Sequence, residues 1–490
     1  MALSHPVHNP IRTTLTAYLP RLDSRRQRTL LGLGALLIGL FVALVVVCWH
    51  IPENLRNIFG YNPATRRLFA EGWGATPPPP WSPELMSYSF IAVWVLLIIL
   101  WLAALFVGAR QSSETNAPVF TIVLLVAIVL NLVLVLAMPP LLATDVYNYL
   151  VYGRMAVFYD LNPYGAIPSQ MGQDLIAGFY AWDVPTHQGP LWTLLTIGIA
   201  VPGGKTSLMP ALLLFKLVAA ISHVITAVLA YRLACSIHEK MALASFIFLA
   251  WNPLLLLEHA GMAHNDLTMM AFVLAALLAY KRGKVWWGYG FLLASVLVKF
   301  ITLLLLGFYV LAWLHQQETW SKRFVLALKI GLVGLLVLVI SYLPFWQGLF
   351  TLTEGIAEES THVTTSALAV LRYAIRQWGA GQALPQAAVE RWEFWCVGVL
   401  PKILLALLIG QQSLRLLKRP LPHSWLQIVS AWSVTIVVYT SLLHNSLVPW
   451  YCSWTLCTAA FGWQLPEQRW SAGIAQLLGC VFVLFYAILL

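Results

Sequence analysis

Apolar runs recur along the chain, each close to the length of a bilayer crossing, with short polar breaks between them. A crossing needs about 20 largely apolar residues. Such runs occupy 30–49, 86–108, 118–138, 208–231, 241–257, 266–280, 324–343, 394–411, 424–443, 448–464 and 470–490. The run 285–315 is too long for one crossing and is expected to fold as two short spans broken near Lys299. The pattern therefore predicts an all-α polytopic membrane protein with about thirteen transmembrane helices.

The segment 190–202, "PLWTLLTIGIAVP", is short for a span. Its length falls in the range of re-entrant and interfacial segments. Charge decides how to read it. If it does not cross, the leader with Arg12, Arg21, Arg25, Arg26 and Arg28 shares a face with the basic turn Lys281-Arg282-Gly283-Lys284. The loops at 109–117, 232–240, 316–323, 412–423 and 465–469 join that face, which collects most of the basic side chains. Lys and Arg favour the cytoplasmic side, so 1–29 reads as an uncleaved cytoplasmic leader. The segments 50–85, 139–207, 258–265 and 344–393, with the turn 444–447, then fall on the extracytoplasmic face. The chain divides accordingly into N-terminal spans (30–138), an outer loop with membrane-surface helices (139–207), a core transmembrane module (208–343), a second long outer loop (344–393) and C-terminal spans (394–490).

Composition agrees and excludes other classes. Of 490 residues, 60% are hydrophobic and only 10% charged, with a mean hydropathy of +0.77. A soluble domain carries roughly 25% charged residues. The net charge of +10 is a topology signal here, not a sign of nucleic acid. The six cysteines form no C-x-x-C pair, so neither a metal site nor a disulfide framework is indicated.

Polar clusters where the pattern calls for grease are the candidate chemistry. Past Pro139-Pro140 comes "TDVYNYLVYGR", residues 144–154. Thr144 and Asp145 are good N-cap types for a helix over about 146–159. On it Asp145, Tyr149 and Tyr152 share a face, while Tyr147 and Arg154 lie elsewhere. Capping and headgroup anchoring would explain this stretch alone. Three further clusters fall on the same expected face: Ala263-His264-Asn265-Asp266, Lys299, and His444-Asn445-Ser446 running into Pro449-Trp450-Tyr451. A charge at the centre of the hydrocarbon costs about 2.5–3.5 kcal/mol on insertion scales, so Lys299 either snorkels or works. A carboxylate beside cations and aromatic rings at a membrane surface suits transfer of a sugar from a lipid phosphate. The carboxylate takes the acceptor's hydroxyl proton, the cations balance the departing phosphate, and the rings pack on the pyranose.

The order Asp145-x-Tyr147-x-Tyr149, Gly153-Arg154, Asn162-Pro163-Tyr164, Gly189-Pro190-Leu191, Asn252-Pro253, His264-Asn265-Asp266 and Val298-Lys299 resembles GT-C membrane glycosyltransferases. It is most similar to the bacterial polyprenol-phosphate-mannose-dependent α-1,6-mannosyltransferases, and Pro449-Trp450-Tyr451-x-x-Trp454 resembles a late motif of many such chains. The resemblance covers about 140–310 plus that motif. It implies a GT-C fold, an inverting transfer of a hexose, mannose in the nearest family, and Asp145 as catalytic base. It places His264, Asp266 and Lys299 at the donor and its phosphate, with Arg154 and Arg372 as further phosphate contacts. Tyr147, Tyr149, Tyr152, His187, His444 and Trp450 are the expected sugar and acceptor contacts. Expected partners are a polyprenyl-phosphate sugar, a glycan or glycolipid acceptor and the plasma-membrane bilayer, with no nucleic acid.

Related enzymes with diphosphate-linked donors use a paired acidic motif and a divalent metal. Here Tyr147 stands two residues after Asp145, so no metal or other cofactor is expected. Two alternatives stay open from sequence: a lipid or sugar transporter, and a GT-C enzyme with a diphosphate-linked oligosaccharide donor. The loop with Glu354, Glu358, Glu359 and His362 reads as a solvated acidic face or a lid.

Overall fold

The computed structural model describes residues 25–51, 64–110, 116–180, 182–349, 351, 363–418, 424–462 and a few positions between 471 and 477. Among the described residues every regular element is helical, apart from one isolated bridge between Thr364 and Ser446. In chain order the principal helices are α1 (Arg25–Trp49), α2 (Ala64–Gly72), α3 (Pro83–Ala109), α4 (Asn116–Ala137), α5 (Asp145–Tyr159), α6 (Pro190–Gly203), α7 (Met209–Ala234), α8 (Glu239–Ala250), α9 (Asp266–Lys281), α10 (Val285–Val298), α11 (Leu303–His315), α12 (Trp320–Tyr342), α13 (Ala367–Gly381), α14 (Gln386–Glu393), α15 (Leu400–Lys418), α16 (Ser424–Val438) and α17 (Cys452–Gly462). Helix is the economical answer for a span, because every backbone N–H and C=O is satisfied within the segment.

Among the described residues, eight helices are long and apolar enough to cross a membrane. The other expected spans among the described residues are shorter helices, α9, α10, α11 and α17, while 470–490 lies mostly outside the described residues. The break at Lys299 falls as expected: α10 ends at Val298, Lys299 is extended, and a 3₁₀ turn over Phe300–Thr302 leads into α11. The segment 190–202 is helical, as α6, and packs on α5, α7 and α10.

The bundle is ordered from the centre outwards. The span Glu239–Gly261 is 94% buried by its neighbours, whereas Trp320–Phe345 is 6% buried and Gln386–Lys418 11%. The outer helices show Phe324, Leu335, Ile340 and Leu407 to the surroundings, as lipid-facing helices do. Two glycines allow the close approaches that fold the 139–207 segment down. A Cβ on Gly153 would meet the Thr196 carbonyl oxygen at 2.4 Å, so α5 and α6 touch backbone to backbone. A Cβ on Gly189 would meet the Leu297 oxygen at 2.2 Å, and the Gly189 N–H donates to the Val298 oxygen at 3.1 Å. Residues 187–190 are thereby laid against the Lys299 break.

Candidate active site

The central span does not stay α-helical to its end. Asn252 caps a short turn by accepting from Leu254 N and Leu255 N at 3.0 and 3.2 Å, and residues Leu256–Gly261 then form a π-helical turn. Single π turns inside helices often sit at functional sites. Ala263 follows with φ +66°, left-handed for a residue with a side chain. The Ala263 and His264 N–H groups donate back to the His259 and Glu258 carbonyls at 2.9 and 3.2 Å. This strained turn carries His264 into the bundle, fully buried.

There the imidazole lies between two carboxylates. Nδ1 is 3.2 Å from Asp145 Oδ2 and Nε2 is 3.3 Å from Glu258 Oε2. Its face stacks on Trp450, with ring centroids 4.0 Å apart and planes 16° from parallel. Burial alone would pull the imidazole pKa down; Asp145 and Glu258 outweigh it and push it up to about 9. Burial would raise the Asp145 carboxyl, but His264, Lys299 and His187 together hold it below its ordinary range. Asp145 is not a cap: Thr144 makes no side-chain capping bond, Asp145 is the first helical residue, and its carboxylate faces His264. Its side chain keeps 27% exposure, which leaves the base reachable.

A second pair stands beside the first. Lys299 Nζ donates to Asp266 Oδ1 at 2.9 Å, and Trp454 Nε1 donates to the same oxygen at 2.6 Å. The ammonium lies 4.6 Å from the Tyr451 ring centroid and 5.4 Å from that of Trp454. Asp266, like Asp145, is a first helical residue with chemistry other than capping. Asn265 donates to Gln188 Oε1 at 2.8 Å, and Gln188 in turn bonds the His187 ring at 2.8 Å.

Lys299 also lines a cavity of about 380 Å³. Its polar part holds Lys299, His187, His444, Asn445 and Ser446. Its walls are apolar, from Ile301 and Leu304 near the break, Val397, Pro401 and Leu405 of the lipid-facing 394–418 segment, and Leu443. Lys402 lies on the same wall. The space matches an amphiphile with an anionic head.

Residues 58–315 match the family described as "Alpha-(1->6)-mannopyranosyltransferase, N-terminal domain", over more than half of the chain. The chain belongs to that family. Alpha-(1->6)-mannopyranosyltransferase A of Mycobacterium tuberculosis is 25% identical over 416 residues, which cover 81% of this chain and 75% of the relative. No solved structure matches. The protein is thus a membrane glycosyltransferase of the α-1,6-mannosyltransferase kind, as the resemblance implied. Asp145, Glu258, His264, Asp266 and Lys299 lie inside the matched residues; Trp450, Tyr451, Trp454 and the outer cavity wall lie beyond them.

The residues expected from sequence divide sharply in this α-(1→6)-mannopyranosyltransferase family member. Asp145, His264, Asp266, Lys299, His187, His444 and Trp450 come together. Arg154 does not. Its buried guanidinium binds both oxygens of Asp174 at 2.8 and 2.9 Å and the Gly204 and Lys205 carbonyls at 2.9 Å, so no N–H fork is left for phosphate. Arg372 lies 3.7 Å from Glu393, next to the Arg376 pair, away from the cavity lining. Tyr147 packs on Phe179, and Tyr149 on Trp192 and Phe215, both buried in the core. The Tyr152 hydroxyl donates to the Val184 carbonyl at 3.1 Å. Glu354, Glu358, Glu359 and His362 lie outside the described residues. Glu258 and Gln188 were missed. A signal for Glu258 was available, since an acid and two histidines within seven residues interrupt an apolar span at "LLEHAGMAH". Among the described residues no group of three His, Cys, Asp or Glu side chains is arranged to hold a metal ion.

Proposed function

We propose that the protein transfers mannose from a polyprenyl-phosphate-mannose donor to a hydroxyl of a glycan or glycolipid acceptor, at the extracytoplasmic face of the plasma membrane and with inversion at the anomeric carbon. The observation that carries this reading is the junction at Lys299. One ammonium borders both a groove of greasy walls and the carboxylate cluster, which suits a donor with a prenyl tail, a phosphate and a sugar in that order. In the step, Asp145 accepts the acceptor's hydroxyl proton and the oxygen attacks the anomeric carbon opposite the phosphate. The carbon–oxygen bond to phosphate breaks with its electron pair, and Lys299 balances the monophosphate that leaves. On this reading the cation at the phosphate is an ammonium and no divalent metal is required. Family membership supports the α-1,6 linkage.

The test is transfer by the purified protein in detergent, with polyprenyl-phosphate-mannose or a nucleotide-mannose as donor and a short α-mannoside as acceptor. Transfer is expected from the lipid donor alone, with α product and no loss in EDTA. Asp145→Asn should lower the rate by roughly 10²–10⁴. Transfer from the nucleotide sugar instead, or an Asp145→Asn protein with undiminished rate, would overturn the donor or the base assignment respectively.

A further inference from the structure

Glu258 has no part in the reaction as written above, yet it is a fully buried acid at the end of the most enclosed span. Burying a carboxylate costs several kcal/mol unless it is paired, and a span held only by packing has no use for one. Its carboxylate lies 3.3 Å from His264 Nε2, on the side of the ring opposite Asp145. Asp145 comes from α5, Glu258 from the π turn, and Trp450 covers one face. The His259 Nδ1 bonds the His264 carbonyl at 3.0 Å, and the charge of Lys299 acts on both Asp145 and His259.

We propose that Glu258 is a positioning residue for the transfer: by facing Nε2 it keeps His264 as an imidazolium, whose charge stands against one oxygen of Asp145 and leaves the other for the acceptor hydroxyl. The arrangement follows the logic of a carboxylate that orients a histidine in a catalytic triad, with the base here at the far end. Glu258 touches no reacting atom, and the acceptor proton still ends on Asp145. The inference rests on Asp145 being the base.

Removing the charge has a signed consequence. Without Glu258 the ring keeps one carboxylate against the same burial, so His264 gives up its proton at lower pH. In the wild type that loss falls near 9. The experiment compares wild type, Glu258→Gln and Glu258→Asp for kcat and KM across pH, with proper folding checked by size exclusion. Partners that orient metal-bound histidines typically cost about 10–100-fold when lost, and a loss of that order is expected for a partner that orients His264. Glu258→Gln is expected to lose that much in kcat with donor KM little changed, and its alkaline limb should move to lower pH, with Glu258→Asp restoring part of both. A uniform loss at every pH, or no loss, would overturn the proposal. So that this failure is distinct from failure of the donor assignment, ¹⁵N-histidine NMR of the same proteins reads His264 directly, with the signal assigned by His264→Gln. A doubly protonated ring at pH 8 in the wild type that turns neutral in Glu258→Gln supports the proposal whatever the donor proves to be. A ring with the same charge in both refutes it.

Discussion

Gly189→Ala perturbs the site without touching any of its polar groups. The glycine is not there for backbone freedom, since its φ of −69° and ψ of 157° suit any residue. It is there for space. A Cβ at 189 would lie 2.2 Å from the Leu297 oxygen, 2.4 Å from its carbonyl carbon and 3.0 Å from its Cα, all backbone. Ordinary contact begins near 3.4 Å, so the two strands of chain must part by about 1 Å, and misplacement of that size can cost 10²-fold in rate. The bond from Gly189 N to the Val298 oxygen would stretch beyond use. His187 and Gln188 lie on one side of this contact and Lys299 on the other. Overpacking of this kind costs typically 1–3 kcal/mol. The expected result is a lowered melting temperature and a transfer rate down by about 10²-fold. Gly198→Ala on α6, where a Cβ meets nothing within 4 Å, serves as control and should be silent in both assays. A Gly189→Ala protein as active as the control would refute the idea that this backbone contact sets the distance between the two sides of the site.

Arg154→Met leaves Asp174 buried without its counter-ion, both side chains being 2% exposed; a loss of about 3 kcal/mol is expected in chemical unfolding, the lower end of the cost of breaking a buried pair, because Tyr159 and the Ile176 N–H still donate to the carboxylate. The same pair makes an acid prediction. Burial raises the Asp174 carboxyl, but Arg154, Tyr159 and the Ile176 N–H outweigh it and hold it below the ordinary value of 3.8. Its contribution to stability is thus present above 3.8 and lost as pH falls through the lower folded value, so the melting temperature should drop below about pH 4 and do so less in Arg154→Met. His264 works in the other direction, because its folded pKa is raised: its contribution is complete below 6.5 and disappears as pH rises through about 9, a loss that His264→Gln should abolish in melts taken from pH 7 to 10. Trp454→Phe keeps the ring stack on Tyr451 but removes the 2.6 Å bond to Asp266; a bond to a charged group contributes about 1.5–3 kcal/mol, and the expected readout is a roughly 10-fold or greater fall in kcat/KM.

The spans were legible because lipid leaves a chain only one local solution, and length was enough to mark α6 as a helix shorter than the eight long spans and to place the break at Lys299. Asp145, His264, Asp266 and Lys299 were legible for a related reason, as polar groups at positions where hydropathy demands the opposite. What failed was direction. The shared face of Asp145, Tyr149 and Tyr152 is real in helical geometry, but side-chain spacing on α5 does not say what α6 and α7 press against it. In the fold the two tyrosines turn into packing, while Asp145, at the helix start, turns to a histidine 119 positions along the chain. Arg154 read as a phosphate ligand because its acid, Asp174, lies past a turn that periodicity cannot close. Glu258 opens the short outer segment 258–265 and was passed over for its neighbours His264 and Asp266; only the ring of His264, placed by the strained Ala263, shows what it is for.

The buried cations then sort themselves by what they face. Arg66 donates to the carbonyls of Trp49 and Ile51, where α1 ends. Lys216 donates to Leu134 at 2.8 Å and also to Met138, where α4 ends. Arg154 donates to Gly204 and Lys205, where α6 ends. The last carbonyls of a helix lack partners within it, and the negative end of the helix dipole favours a cation there. In lipid, where water is not at hand to solvate those carbonyls, such a lysine or arginine is structural. Lys299 is built differently. It sits at a helix end too, yet its ammonium donates to a carboxylate that a tryptophan N–H also holds, and, unlike Arg154 with its own carboxylate, it borders a cavity. A buried cation in a membrane enzyme of this kind is therefore not a phosphate ligand by default; the one to test is the one whose ammonium faces a cavity and a carboxylate instead of a helix end's carbonyls.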